Sequence, residues 1–215
     1  MREQFRLEMH ELYDTLIAET KGAARAMRLA AESFKDANLA LAEQVIDADQ
    51  KIDLLERNVD EMAISLLVRQ APVAKDLRTV ASAMRLSSTI ERMGDLARHV
   101  AYVARGRYPA TVVQGPVYDL LTAMADQAAL VGEKVAKLVE TKDLALAREI
   151  LADDDVLDDL HRKSFDYVLD TELELSRQEI VDIILLGRYM ERYGDQAVNV
   201  ATRMQFLITG MEPEA

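Results

Sequence analysis

The residues with the clearest capacity for chemistry are carboxylates spaced one helical turn apart. Glu91 and Asp95 are four residues apart, and so are Glu191 and Asp195. On a helical wheel each pair lies on one face, opposite much of the apolar arc of its own segment. The spacing therefore predicts two acidic faces on the outside of a helical bundle.

Two acidic strips precede these pairs, and each is built from residues spaced by three or four positions. The first strip comprises Asp49, Asp53, Glu56 and Asp60, and the second comprises Asp154, Asp158, His161 and Phe165. Like charges at these spacings repel by about 0.2–0.5 kcal/mol per pair in a helix. A bound cation would turn this repulsion into attraction.

Cations such as magnesium, manganese, calcium and iron take several oxygen ligands at about 2.0–2.6 Å. Two adjacent helices that each present carboxylates one turn apart can supply such ligands. We therefore predict two metal sites. The first uses Asp49, Asp53, Glu91 and Asp95, and the second uses Asp154, Asp158, Glu191 and Asp195. Additional candidates at their edges are Glu56, His99, His161 and Asn199.

A metal-free interpretation stays open, because this spacing arises easily by chance in a chain with 38 acidic residues. The recurrence of the pairs at corresponding positions favours metal. Within the same segments, Gly94 and Gly194 predict close approach of a neighbouring helix, since glycine is unfavourable inside a helix. Arg92 and Arg192 are predicted to pair with the adjacent glutamates.

The sequence contains an internal repeat that spans most of the chain. Tyr13-Asp14 recurs as Tyr118-Asp119, and the run NLALAEQVIDAD recurs as DLALAREILADD, both at a shift of 105 residues. The run ERMGDLARHV recurs as ERYGDQAVNV at a shift of 100 residues. A duplication that preserves order and spacing predicts two copies of one structural unit.

Apolar residues recur at intervals of three and four, without strand-like alternation, so the predicted fold class is all-α. We expect a tandem duplication of a three-helix bundle, with the first bundle in residues 1–108 and the second in 109–215. The predicted helices span about 2–34, 38–69, 72–106, 117–139 and 143–171, with a sixth after Ser176. Asn38 and Asp143 are predicted N-caps, and Ser176 with Glu179 has the spacing of a capping box. Residues 107–116 are the predicted linker, because they contain two of the four prolines.

The amino-acid composition and the absence of certain motifs argue against several classes of function. A formal net charge of −12 argues against binding to nucleic acid or to an anionic membrane surface. The chain has no cysteine, a charged N-terminal segment and no long apolar stretch, which favours a soluble cytoplasmic protein. It also lacks a glycine-rich phosphate loop and a nucleophile paired with a base, so we expect no enzymatic activity.

At the motif ERxGDxAxxxA, which occurs twice, the chain resembles the PhoU family of phosphate-signalling regulators. The preceding acidic D-x-x-x-D pairs and the segment RQAPVAKDLR, residues 69–78, extend the resemblance over essentially the whole chain. It implies a cytoplasmic protein of two three-helix bundles. It also implies metal bound by the eight carboxylates named above, as iron or zinc with magnesium or manganese as alternatives, in sites that can be multinuclear.

The resemblance further implies negative regulation of the phosphate-starvation response. Such a protein connects the ATPase subunit of the phosphate transporter with a phosphate-sensing histidine kinase, and a homodimer is left open. The alternatives are a carboxylate-bridged di-iron oxidase on a helical bundle and a metal-free helical interaction module. Because His99 stands where the second copy has Asn199, and because the strips end differently, we expect two related but non-equivalent sites.

Overall fold

In the computed structural model, which describes residues 2–211, the chain folds into six α-helices. They are α1 (Arg2–Lys35), α2 (Leu39–Gln70), α3 (Ala74–Arg107), α4 (Pro116–Thr141), α5 (Leu144–Leu169) and α6 (Arg177–Thr209). These residues contain no β-strand. The predicted all-α class with six helices is confirmed.

Side-chain caps explain where three of the helices begin. The Asn38 side chain accepts a hydrogen bond from the Leu41 amide at 3.2 Å, and Asp143 accepts one from Ala145 at 2.9 Å. At α6, Ser176 and Glu179 form the reciprocal pair of hydrogen bonds of a capping box. All three caps were predicted from the sequence, because these side chains satisfy amide groups that the first turn leaves free.

Three helix ends differ from the prediction by two residues, and one of them is the end of α4, at Thr141 rather than Val139. Helix α3 begins at Ala74 rather than Pro72, because Ala71 adopts a left-handed conformation and Val73 an extended one. Helix α5 ends at Leu169 rather than Thr171. There the Asp170 backbone is extended, and its side chain accepts a hydrogen bond from the Glu172 amide at 2.9 Å.

The helices pack in a regular scheme. Helices α1, α2 and α3 pack on one another, and so do α4, α5 and α6. Between the two bundles, α1 contacts α4 and α3 contacts α6. Helices α2 and α5 contact only helices of their own bundle, so they lie on the outside.

The repeated tyrosines hold α1 and α4 together. The Tyr13 hydroxyl in α1 donates a hydrogen bond to the Val139 carbonyl of α4 at 2.6 Å. The Tyr118 hydroxyl in α4 donates one to the Lys35 carbonyl of α1 at 2.9 Å. Both accepting carbonyls lie near the C-terminal end of a helix, where main-chain acceptors lack intrahelical partners. The repeat noticed in the sequence thus corresponds to a reciprocal contact between the bundles.

One apolar core runs through both bundles. The connection between α3 and α4 closes it on one side, since Val112 and Val113 are 4% and 1% exposed. The predicted division after residue 108 falls in this connection and stays a prediction. None of the helices within residues 2–211 is both long and apolar enough to cross a bilayer.

Candidate functional site

Helices α2 and α3 bring the predicted carboxylates of the first copy together. We call this group the first acidic cluster; it consists of Asp49, Asp53, Glu56, Glu91 and Asp95. Burial, together with the negative charges of the other four members, raises the pKa of Glu91 to about 7. Burial likewise raises the pKa of Glu56, with the charge of Asp53 contributing. The carboxylates therefore share one site rather than separate patches of surface.

A matching group, the second acidic cluster, forms between α5 and α6. It consists of Asp154, Asp158, Glu191 and Asp195. Burial raises the pKa of Asp154 to about 6, and the charges of Asp158 and Asp195 act in the same direction. The structure therefore juxtaposes the two sets of four carboxylates that the sequence predicted, one set in each copy.

A glycine in each motif permits this close approach. A Cβ atom added to Gly94 would lie 2.9 Å from Cδ1 of Ile52 on α2. In the second copy, a Cβ atom added to Gly194 would collide with Oδ1 of Asp154 and lie 2.9 Å from Cδ1 of Leu157. The prediction that these glycines admit a neighbouring helix is borne out, and that helix carries the acidic strip.

The first acidic cluster contains its own counter-ion. Arg98 of α3 lies between two carboxylates, with its guanidinium 2.6 Å from Asp49 and 2.5 Å from Asp95. Arg98 compensates the charge of Asp49, which is only 4% exposed. Burial still raises the pKa of Asp49, and Arg98 opposes that shift.

The second acidic cluster lacks such an arginine, because the position that corresponds to Arg98 is Val198. Arg188 contacts Glu191 from the preceding turn, at 2.6 Å, and leaves Asp154 without an ion pair within residues 2–211. Oδ1 of Asp154 is buried and has no hydrogen-bond partner among those residues. The two clusters are therefore electrostatically different.

His161 lies beside the second acidic cluster and adds a nitrogen donor. Its Nε2 atom is buried and has no hydrogen-bond partner within the described part of the chain. Burial lowers the pKa of His161, which favours the neutral imidazole, the form that coordinates metals. Buried acceptors without partners are uncommon in proteins, so Asp154 and His161 fit a cation better than an apolar neighbour.

Among residues 2–211, however, no three acidic or histidine side chains already stand in an arrangement that could hold a metal ion. The donor chemistry and the charges fit a cation, but the side chains would have to rotate toward a common centre. In the first acidic cluster, a cation would also have to displace Arg98 from Asp49 or Asp95. The fit is therefore better in the second cluster.

Four other residues named in the sequence analysis lie in different surroundings. The His99 ring stacks on Tyr189 of α6, with ring centroids 5.0 Å apart, so it packs between the bundles. Asn199 is exposed on α6. The predicted pairing of Arg92 and Arg192 with the adjacent glutamates is wrong, because both side chains are exposed and Arg98 and Arg188 contact the carboxylates instead.

Sequence reasoning missed one buried acid near the first acidic cluster. Glu19 of α1 is fully buried, and its Oε2 accepts a hydrogen bond from the Ser87 hydroxyl at 2.5 Å. Burial raises its pKa to about 8, and the charges of Glu56 and Glu91 contribute. At the corresponding position the second copy has Met124, so the break in the repeat was the available signal.

Comparison with known proteins gives matches over both copies. The family model described as the PhoU domain matches residues 20–104 and 121–204. The phosphate-specific transport system accessory protein PhoU homolog 2 of Mycobacterium tuberculosis is 38% identical over 213 residues, covering 99% of this chain and 100% of that protein. PhoU homolog 1 of Mycobacterium leprae is 38% identical over 214 residues, covering 100% of this chain and 96% of that protein.

Solved structures agree on the architecture. The crystal structure of PhoU from Pseudomonas aeruginosa matches with a TM-score of 0.83 and 27% identity, over 96% of this chain and 100% of that one. The crystal structure of the phosphate transport system regulatory protein PhoU from Streptococcus pneumoniae matches with a TM-score of 0.86, over 98% of this chain and 100% of that one. At 21% identity, this second match supports the fold alone.

Proposed function

This chain belongs to the PhoU family, and from that premise we propose that it is a non-enzymatic adaptor between a phosphate transporter and a sensor kinase. The observation that carries the proposal is similarity over 99% of the chain to a protein named as a phosphate-specific transport system accessory protein. The partners would be the ATPase subunit of the transporter and the phosphate-sensing histidine kinase of the same organism. Such a regulator would act in the cytoplasm.

The packing of the helices suits an adaptor. Helices α2 and α5 contact only their own bundles, which leaves a long outer face on each half of the molecule. On α2 this face includes Leu54, Ile64 and Val68, which are 53%, 53% and 78% exposed. On α5 it includes Leu151 and Leu169, which are 47% and 76% exposed. Exposed apolar side chains of this kind are available to a partner protein.

Binding to the two partners tests this function directly. We expect the purified chain to bind the transporter ATPase subunit or the histidine kinase of its own organism in isothermal titration calorimetry. The ATPase subunit of an unrelated transporter is the control and should not bind. Absence of binding to both native partners would count decisively against the adaptor role.

We further propose that the acidic clusters bind metal ions, with iron or zinc as the first candidates and magnesium or manganese as alternatives. The ligands would be the eight carboxylates predicted above, with His161 contributing to the second site. When bound, a cation would supply positive charge that offsets the repulsion among the carboxylates. The raised pKa of Glu91 and of Asp154 supports this proposal, because burial and then the neighbouring carboxylates disfavour the charged form of each group, and a cation would oppose both effects.

Metal content distinguishes a metal site from bare carboxylates. We expect the Asp95→Asn plus Asp195→Asn variant, purified without chelator, to lose most of the metal that elemental analysis finds in the unmodified chain. The matched control is Asp14→Asn plus Asp119→Asn, which removes one exposed carboxylate per copy outside the clusters. Asp195→Asn alone should lose more metal than Asp95→Asn alone, because Arg98 already compensates the first cluster.

Two results would contradict this assignment. Equal metal content in the cluster variant and in the unmodified chain would remove these carboxylates as ligands. An equal loss in the control variant would indicate non-specific binding to an acidic protein. Neither result would affect the adaptor role, which is tested by partner binding.

A further inference from the structure

A pocket lies across the seam between the bundles, apart from the acidic clusters. It is an open pocket of about 540 Å³ between the first three turns of α3 and the last turns of α6. Its polar lining consists of Arg78, Ser82 and Arg85 from α3 and of Thr202 and Arg203 from α6. The lining contains no acidic residue.

The charge of this pocket is opposite to that of the chain as a whole. The net charge is −12, yet three arginines converge here, and none of them forms an ion pair within residues 2–211. Elsewhere, Arg98, Arg107 and Arg188 all contact carboxylates. Guanidinium groups that share a pocket repel one another, and an anion would remove that repulsion.

Buried donors without partners are a second, independent indication of a ligand. The Nε atoms of Arg78 and Arg203 are both buried and have no hydrogen-bond partner among residues 2–211. Ser82 lines the same pocket and is only 6% exposed. Buried donors are normally satisfied, and phosphate oxygens match the planar fork of an arginine side chain.

The remaining lining is apolar and indicates a ligand larger than inorganic phosphate. The guanidinium carbon of Arg78 lies 5.8 Å from the centroid of the Phe206 ring, and Leu77 is 44% exposed at the rim. Ala74 and Ala81 complete the apolar surface. A volume of about 540 Å³ falls in the usual range of sites for small organic molecules.

We propose that this pocket binds a small phosphorylated molecule that carries an aromatic group, of the nucleotide class. Arg78, Arg85 and Arg203 hold the phosphate groups. Phe206 and Leu77 contact the aromatic group. Because α3 and α6 belong to different bundles, the ligand bridges the two halves of the molecule. This inference rests on the pocket alone and does not depend on metal binding or on a partner protein.

Calorimetry with three probes tests the proposal on the full chain: ADP, pyrophosphate and inorganic phosphate, without divalent cations and at constant ionic strength. We expect ADP to bind more tightly than pyrophosphate, and pyrophosphate more tightly than inorganic phosphate. The Arg78→Gln plus Arg203→Gln variant should weaken ADP binding at least tenfold. Phe206→Ala should weaken binding of ADP but leave pyrophosphate unchanged. Circular dichroism confirms that each variant is folded.

A matched variant controls for charge. Arg6→Gln plus Arg148→Gln removes two exposed arginines outside the pocket and should leave ADP binding unchanged. Equal weakening in this control, or unchanged binding in the pocket variant, would overturn the proposal. So would the absence of binding of all three probes.

Discussion

Replacement of Arg107 by alanine is expected to lower the free energy of unfolding by about 3 kcal/mol. The Arg107 guanidinium donates two hydrogen bonds to Asp182, from Nε to Oδ2 at 2.5 Å and from Nη2 to Oδ1 at 3.0 Å. Asp182 is only 4% exposed, so removal of the arginine leaves a buried carboxylate with Gln178 as its remaining side-chain partner within residues 2–211. Loss of one member of a buried ion pair is costly for this reason.

Urea denaturation followed by circular dichroism measures this effect. The matched control is Arg105→Ala, in the same last turn of α3, where the guanidinium is exposed and lies 5.1 Å from the Tyr102 ring centroid. We expect the control to change stability by less than about 1 kcal/mol. If the two variants are equally stable, the Arg107–Asp182 pair does not hold α3 against α6 in the way that its geometry indicates.

The second large effect is a stability difference that depends on pH. Glu19→Gln is expected to raise the free energy of unfolding by about 3 kcal/mol at pH 8 and to leave it nearly unchanged at pH 5. Burial raises the pKa of Glu19 from 4.5 to about 8. Between these values the folded chain holds a proton that the unfolded chain releases, so the unmodified protein loses stability as pH rises from 4.5 to 8. Glutamine does not titrate, yet it keeps an acceptor for the Ser87 hydroxyl.

The measurement is urea denaturation of both proteins at several pH values, with chelator present so that metal binding does not contribute. Glu11→Gln provides the control on the same helix, because Glu11 is exposed. The control should follow the unmodified chain at every pH. A constant difference between Glu19→Gln and the unmodified chain across this range would show that Glu19 is not protonated in the folded state.

Much of the fold could be predicted because it depends on local chemistry. The side chains of Asn38, Asp143 and Ser176 cap helices wherever they precede an amphipathic segment, so the sequence alone located three helix starts. Gly94 and Gly194 indicated close helix packing because a glycine inside a helix has a cost that only such packing repays. The repeat then fixed the number of helices.

The surroundings of the site could be predicted only in part, because a helical wheel shows which face a residue shares but not what lies opposite. It grouped Glu91 with Asp95 correctly, yet it gave no reason to select Arg98 over Arg92 as the counter-ion. Which arginine reaches the carboxylates depends on the distances between helices, and a helical wheel does not give those distances. Glu19 was missed for the same reason. Its carboxyl accepts a hydrogen bond from Ser87, which lies on a different helix and 68 positions away in the sequence.

The contacts between the two bundles are arranged with twofold symmetry. Equivalent helices pair with each other, α1 with α4 and α3 with α6, and Tyr13 and Tyr118 exchange equivalent hydrogen bonds. This is the isologous arrangement of a twofold-symmetric homodimer, with both subunits here joined in one chain. Dissociation on dilution, which limits a true dimer, cannot separate the halves, because the connection keeps their effective concentration high at any protein concentration. Each half is also free to change its sequence alone, as Arg98 and Val198 have done.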